Sequence, residues 1–244
     1  MRFRIVMLGL VMGLISACGD ANQAIQVEAG ASVTGALSTV NGSIQVGNGA
    51  TIAGDISNVN GAIRLGDSVS TGDVSTVNGR ISVGRQARLA AVSAVNGAVD
   101  IGDESRILGS VETANGRLTV SERVEIGGHV LVGNGALTIG PESRVSGAVE
   151  TGNGTVQITG AHIASVTTGG GTLELLDGSV VAGDLTVRAP RRTTNQASPA
   201  RVLIGENVRV DGSLTFERPV NLFIHPSATV GEIRGAQPKP WDDR

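Results

Sequence analysis

The chain is predicted to be all-β, a single-stranded β-helix that winds one coil at a time into a solenoid. Three observations predict it. Seven Asn-Gly pairs, at Asn41, Asn60, Asn78, Asn96, Asn115, Asn134 and Asn153, recur at intervals of 18 or 19 residues, and a fixed period of that size marks a stacked-repeat architecture. Aliphatic residues alternate inside each interval, as at Ile44 and Val46, Ile81 and Val83, Val99 and Ile101, Leu137 and Ile139; period two belongs to a strand. Glycine follows the second aliphatic residue at Gly47, Gly66, Gly84, Gly102 and Gly140 and again follows each Asn, so each short strand is expected to end at a residue that accepts positive φ.

Three short strands separated by such turns close a triangular coil of 17–19 residues, and coils stacked about 4.8 Å apart pair every backbone group with the coil above or below. Composition agrees: 36 glycines, no tyrosine, one tryptophan and three phenylalanines leave Val, Ile, Leu and Ala to fill a narrow interior. Roughly eleven coils predict one quasi-one-dimensional rod on the order of 50 Å long. Two hands fit the pattern. Leu65, Thr71, Val77, Val83, Leu89, Val95, Ile101 and Ile107 are spaced by six, as in left-handed hexapeptide β-helices, but strict sixes break at the 19-residue coils, which favours the right hand.

The first residues read differently. Met1, Arg2 and Arg4 form a basic head, Ile5 to Ala17 an apolar stretch, and Ile15-Ser16-Ala17-Cys18 a small-residue site ending in the single cysteine. This pattern predicts a targeting segment over 1–17, too short to span a bilayer as a mature helix. The tetrad resembles the lipobox of bacterial lipoproteins, a likeness that implies cleavage before Cys18 and acylation of its thiol, palmitate included. Several acyl chains at about 0.8 kcal/mol per buried methylene hold a protein stably on a membrane. Gly19 in place of an aspartate after the cysteine resembles lipoproteins sent to the outer membrane, facing the periplasm; Asp20 weakens that likeness, and the inner membrane stays open.

Beyond a short linker, 18–23, the β-helix domain is expected over 24–233. The coil at Glu150 to Val166 is shortened, and the next carries Gly169-Gly170-Gly171 where Gly-Asn-Gly stood before. A loop insertion at about 187–200 interrupts the phrase, and Arg188, Arg191, Arg192 and Arg201 make it locally basic on a chain of net charge −3. These arginines are a possible interaction loop for phosphate headgroups or an acidic partner; with no aromatic neighbour the alternative reading is a solvated loop, and no nucleic-acid partner is expected. Phe216, Phe223, Pro219 and Pro226 mark the last coil as a cap that blunts the open strand edge. The tail, 234–244, is expected to be loose or folded over.

The Asn column is read as structural. Turns stacked in register place each amide over the next, where it donates to the neighbouring carbonyl oxygen, and Asn also tolerates the left-handed conformation before Gly. His129, His162 and His225 fall at different places in their coils, so no metal site and no cofactor is expected. Glu112 and Glu150 occupy equivalent places two coils apart, and Asp55, Asp73 and Asp184 follow glycine at another corner; neither set is dense enough to predict an enzyme.

Phrases such as Thr51-Ile52-Ala53-Gly54-Asp55-Ile56 and Val180-Val181-Ala182-Gly183-Asp184-Leu185 resemble bactofilins, the polymer-forming β-helical proteins of bacteria. Thr39-Val40-Asn41-Gly42-Ser43-Ile44 and Ser75-Thr76-Val77-Asn78-Gly79-Arg80-Ile81 are equally similar to the repeats of bacterial surface adhesins. Bactofilin likeness implies a right-handed β-helix that assembles end to end through its termini; adhesin likeness suits an exported chain. The expected function is therefore a membrane-anchored envelope lipoprotein with a structural, adhesive or polymer-forming role. Its expected partners are the bilayer through Cys18, other copies through the coil ends, and an envelope protein or polysaccharide. The second reading is an enzyme acting on envelope polysaccharide through carboxylates along a groove.

Overall fold

A computed structural model of the protein describes residues 5–7, 17–18, 22–189 and 198–241. Every described element is a β-strand, and all strand pairs are parallel, each strand lying between its equivalents in the coils before and after. Three columns of strands result. The first face runs from Ile25–Val27 through Ile44–Val46, Ile63–Leu65 and Ile81–Val83 to Val220–Ile224; the second from Ser32–Val33 and Thr51–Ile52 to Thr229–Val230; the third from Leu37–Thr39, Ile56–Asn60 and Val74–Asn78 to Ile233–Arg234. About eleven coils stack in this way. Register partners are 19 residues apart from Ile25 to Ile44, 18 from Ile63 to Ile81, 17 from Val156 to Leu173, and 29 from Leu173 to Val202, the coil that carries the insertion.

Alternation decides what is inside. Ile44, Ile56, Ile63 and Ile81 are 0 % exposed and belong to one continuous aliphatic column running from Ile25 to Leu222; each such side chain contributes about 1.5–3 kcal/mol by its removal from water. One interior column is partly polar. Thr39, Asn58, Thr76, Thr113, Thr151 and Thr168 share it with Ala94 and Val132, all buried behind the Asn-Gly corner; the hydroxyls of Thr76, Thr113 and Thr151 have no hydrogen-bond partner among the described residues. There Asn58 donates to the carbonyl of Gly42 at 2.6 Å and Thr39 to that of Gln23 at 2.9 Å.

The corners differ from the sequence expectation. Gly47, Gly66, Gly84 and Gly102 do not adopt positive φ; the left-handed residue comes two places later, at Gly49, Ser68, Gln86 and Glu104, and at Arg123 and Glu142 in the coils that follow. What makes glycine necessary after the second aliphatic residue is proximity. A Cβ on Gly47 would lie 2.5 Å from the backbone nitrogen of Ala29, far inside van der Waals contact. None of the seven repeat asparagines is left-handed either. Corners are instead tied by side chains that accept the next coil's backbone N–H: Asn48 from Asp67 at 3.0 Å and Asp67 from Arg85 at 2.8 Å at one corner, Asp55 from Asp73 at 2.9 Å and Asp184 from Ser213 at 2.7 Å at another.

Both ends carry extra backbone. Ile5–Met7 pairs with Ile25–Val27, and Ala17–Cys18 with Leu37 and Ser38, so a piece of the apolar leader and the segment at its junction with Cys18 continue the stacking in the full-length chain. At the other end Pro238–Lys239 pairs with Leu222 and Phe223, starting a further turn from the tail. Trp241 meets the His225 ring edge to face at 4.8 Å. Phe216 fills the core at 5 % exposure, whereas Phe223 lies under the Arg201 guanidinium at 5.7 Å from the ring centre.

Candidate functional site on the third face

The third face changes character along the rod. In four successive coils its outward residues are Ser, Val and Asn: Ser38, Val40 and Asn41; Ser57, Val59 and Asn60; Ser75, Val77 and Asn78; Ser93, Val95 and Asn96. The four valines are 38–45 % exposed, forming an uncharged ridge beside the amide column.

The amides do form a ladder. Nδ2 of Asn60 donates to Oδ1 of Asn41 at 2.9 Å, Asn78 to Asn60 at 2.9 Å, Asn96 to Asn78 at 3.0 Å, Asn115 to Asn96 at 3.1 Å and Asn134 to Asn115 at 3.2 Å. Asn41 donates in turn to Asn22, a first rung the Asn-Gly spacing did not reveal because alanine or glutamine, not glycine, surrounds Asn22. The rungs lengthen towards the C-terminus and then stop: among the described residues the Asn153 side chain makes no hydrogen bond.

Backbone explains the lengthening. The third-face strands end at Asn60, Asn78 and Asn96, but from Val111 they run straight through Asn-Gly into the first face, as Val111–Val120 and Val130–Ile139. The corner opens, and Gly116, Gly135 and Gly154 take φ of 153°, 146° and 141°, values that L side chains rarely adopt.

In the same coils the valine column gives way to Ala114, Gly133, Gly152 and Gly169, followed by Arg188 and Glu217. Losing those side chains turns ridge into trough. The opening measures about 550 Å³ and is lined by Leu131, Glu150, Asn153, Arg188, Ala189 and Glu217 above the glycines. Arg188 stands 3.6 Å from a Glu150 carboxylate oxygen, and Glu217 accepts the backbone N–H of Ala189 at 3.1 Å.

Arg218 reaches back to the glycine run that borders the trough. Its Nη1 donates to the Gly169 carbonyl at 2.8 Å and its Nη2 to that of Ser198 at 3.0 Å. A Cβ on Gly170 would lie 2.4 Å from that Nη1. Gly170 thus does more than repeat the turn of the asparagine it replaces: its missing side chain makes room for the guanidinium.

Of the four arginines read as an interaction loop, Arg188 is engaged with Glu150 and Arg201 with Phe223, on different faces, so these two do not share a patch. Arg191 and Arg192 lie outside the described residues, as do the side chain of Cys18 and the residues just before Ala17.

Two further clusters are structural in geometry. His129 Nδ1 lies 2.9 Å from Ser110 Oγ, and its Nε2 lies 2.9 Å from Glu112, a serine–histidine–carboxylate chain the spacing did not show. The hydroxyl also accepts the His129 backbone N–H at 3.2 Å, the same coil-to-coil tie made by Asp55 and Asp184, so it acts as a corner clamp. On the first corner Arg123 reaches Glu104 at 3.0 Å and Glu122 at 3.3 Å, and Arg85 reaches Asp103 at 3.5 Å. The Gln86 amide, then Arg123, hold the Glu104 carboxyl below the usual glutamate value. Among the described residues no group of three His, Cys, Asp or Glu could hold a metal ion, and no helix is long and apolar enough to cross a membrane.

No protein-family model, curated protein or solved structure matches this chain. The fold defines it as a β-solenoid repeat protein.

Proposed function

We propose that the protein is a lipid-anchored β-solenoid of the bacterial envelope, held by acylated Cys18 and serving as a scaffold or adhesive rod rather than as an enzyme. The observation that carries this reading is the union of a lipobox-like tetrad with a rod of stacked coils whose third face repeats uncharged Ser, Val and Asn over its first four coils. A rigid solenoid with repeated side chains presents a surface at a fixed distance from its attachment point, and that is a structural property. The short linker, 18–23, keeps the rod close to its bilayer. Outer-membrane placement facing the periplasm and association through coil ends belong to the same proposal, the latter because unpaired strand edges invite another chain. The trough carries two carboxylates, Glu150 and Glu217, with Glu150 beside Arg188, an arrangement suited to holding a ligand.

Labelling cells with a clickable palmitate analogue and fractionating them tests the anchor. The protein is expected to carry label and sediment with membranes, and Cys18→Ser to lose the label and become soluble. Unchanged membrane association of Cys18→Ser would overturn the proposal.

A further inference from the structure

We infer that the trough at the C-terminal half of the third face is a ligand site and that its ligand is an uncharged, hydroxyl-rich oligosaccharide. This deepens the scaffold reading by giving the rod something to hold.

Three features of the trough carry the inference. Its floor is the backbone of Gly133, Gly152 and Gly169, in the column that holds valines upstream, so a bound ring can approach the coil surface closely. Its walls offer both donors and acceptors within one opening of about 550 Å³: the Asn153 amide, the Glu150 and Glu217 carboxylates and the Arg188 guanidinium. That opening has room for about two or three sugar rings. Independently, Asn153 is the one repeat asparagine released from the ladder, so its amide is not spent on a neighbouring coil.

Hydroxyl chemistry fits these groups better than the alternatives. A sugar hydroxyl donates to a carboxylate while accepting from a guanidinium or amide N–H. The Arg188–Glu150 pair, at 3.6 Å, is longer than a hydrogen bond, so a hydroxyl set to one side of the pair can accept from the guanidinium and donate to the carboxylate. Leu131, 37 % exposed, supplies an apolar patch for the C–H face of a ring. A peptide adding as a strand would need an open edge, yet here Val130–Ile139 and Arg144–Thr159 are paired on both sides. Among the described lining residues a phosphate-rich polymer would meet two carboxylates, Glu150 and Glu217, against one guanidinium, Arg188, a balance that disfavours an anion.

Calorimetric titration of the purified full-length protein in detergent, with cellotetraose, maltotetraose, xylotetraose and chitotetraose and with the acidic tetragalacturonate as counter-probe, tests the inference. At least one neutral tetrasaccharide is expected to bind with Kd below about 1 mM. Glu150→Gln combined with Arg188→Gln, and separately Asn153→Leu, are expected to weaken it about tenfold or more. Asn78→Ala, on the upstream ridge, should leave the affinity unchanged. Absence of binding to all four neutral probes at about 10 mM, equal affinity in the trough variants, or a preference for tetragalacturonate would overturn it. Cys18→Ser protein should titrate like the native chain, so loss of the anchor reading and loss of the trough reading give different results.

Discussion

The coils bearing Val40, Val59, Val77 and Val95 and those bearing Gly133, Gly152 and Gly169 share one parallel stacking and one strand order, yet they expose opposite surfaces. Upstream, four half-exposed valines stand beside a tight amide ladder. Downstream, the same column is bare backbone, the corner has opened, and the ladder stretches and ends. A solenoid therefore fixes where a side chain stands without fixing what the surface does; one column of substitutions converts ridge to trough while the core continues unchanged.

This contrast can be broken or sharpened by substitution, beginning with glycine after asparagine. A Cβ on Gly135 would lie 1.7 Å from the Gly116 carbonyl oxygen, and one on Gly97 would lie 1.8 Å from that of Gly79, so both coils must move apart to admit alanine. Only Gly135 adds a φ of 146°. Gly135→Ala is expected to cost about 3 kcal/mol or more and Gly97→Ala about 2 kcal/mol. Denaturant unfolding of the two variants checks this; equal losses would mean that the corner geometry does not differ as described.

The ladder gives a smaller and cleaner contrast. Asn78 both donates and accepts a rung, so Asn78→Ala should destabilise the rod by about 1–2 kcal/mol, whereas Asn153→Ala should fall within about 0.5 kcal/mol of the native chain. Matched losses at the two positions in thermal unfolding would show that the rungs do not carry the difference.

The smallest effect is electrostatic and confined to the upstream coils. Glu104, held below its ordinary value of 4.5 by the Gln86 amide and then Arg123, contributes stability that is present above that pH and is lost as pH falls through the lower folded value. Stability measured from pH 6 downward should therefore drop on the acid side of 4.5, and Glu104→Gln should flatten that limb. The group is solvent-exposed, so the change is expected to be modest and to shrink further in salt. An identical acid limb in Glu104→Gln would dismiss the network as a contributor.

The fold was legible because its determinants are local. Ile44-Gln45-Val46 and Ile81-Ser82-Val83 show their period within three residues, and Asn-Gly pairs repeat it at coil length, so the strands and their stacking follow from the sequence pattern, while the corner conformations do not. The site was less legible. Arg218 and Gly169 are 49 positions apart, and nothing in either phrase announces that they meet. The glycine-rich run 169–171 reads as a turn until the guanidinium is seen above it.

Period, alternation and glycine content determined by themselves that this protein is a parallel β-solenoid with an aliphatic axis and an asparagine column, because each coil can bury its apolar residues only by stacking on a neighbour with the same pattern. Tertiary structure alone decided which corner residue is left-handed, where the amide ladder opens, and where a valine ridge becomes a charged trough. Those outcomes depend on distances between coils of tenths of an ångström to a few ångströms, and separation along the chain carries no record of them.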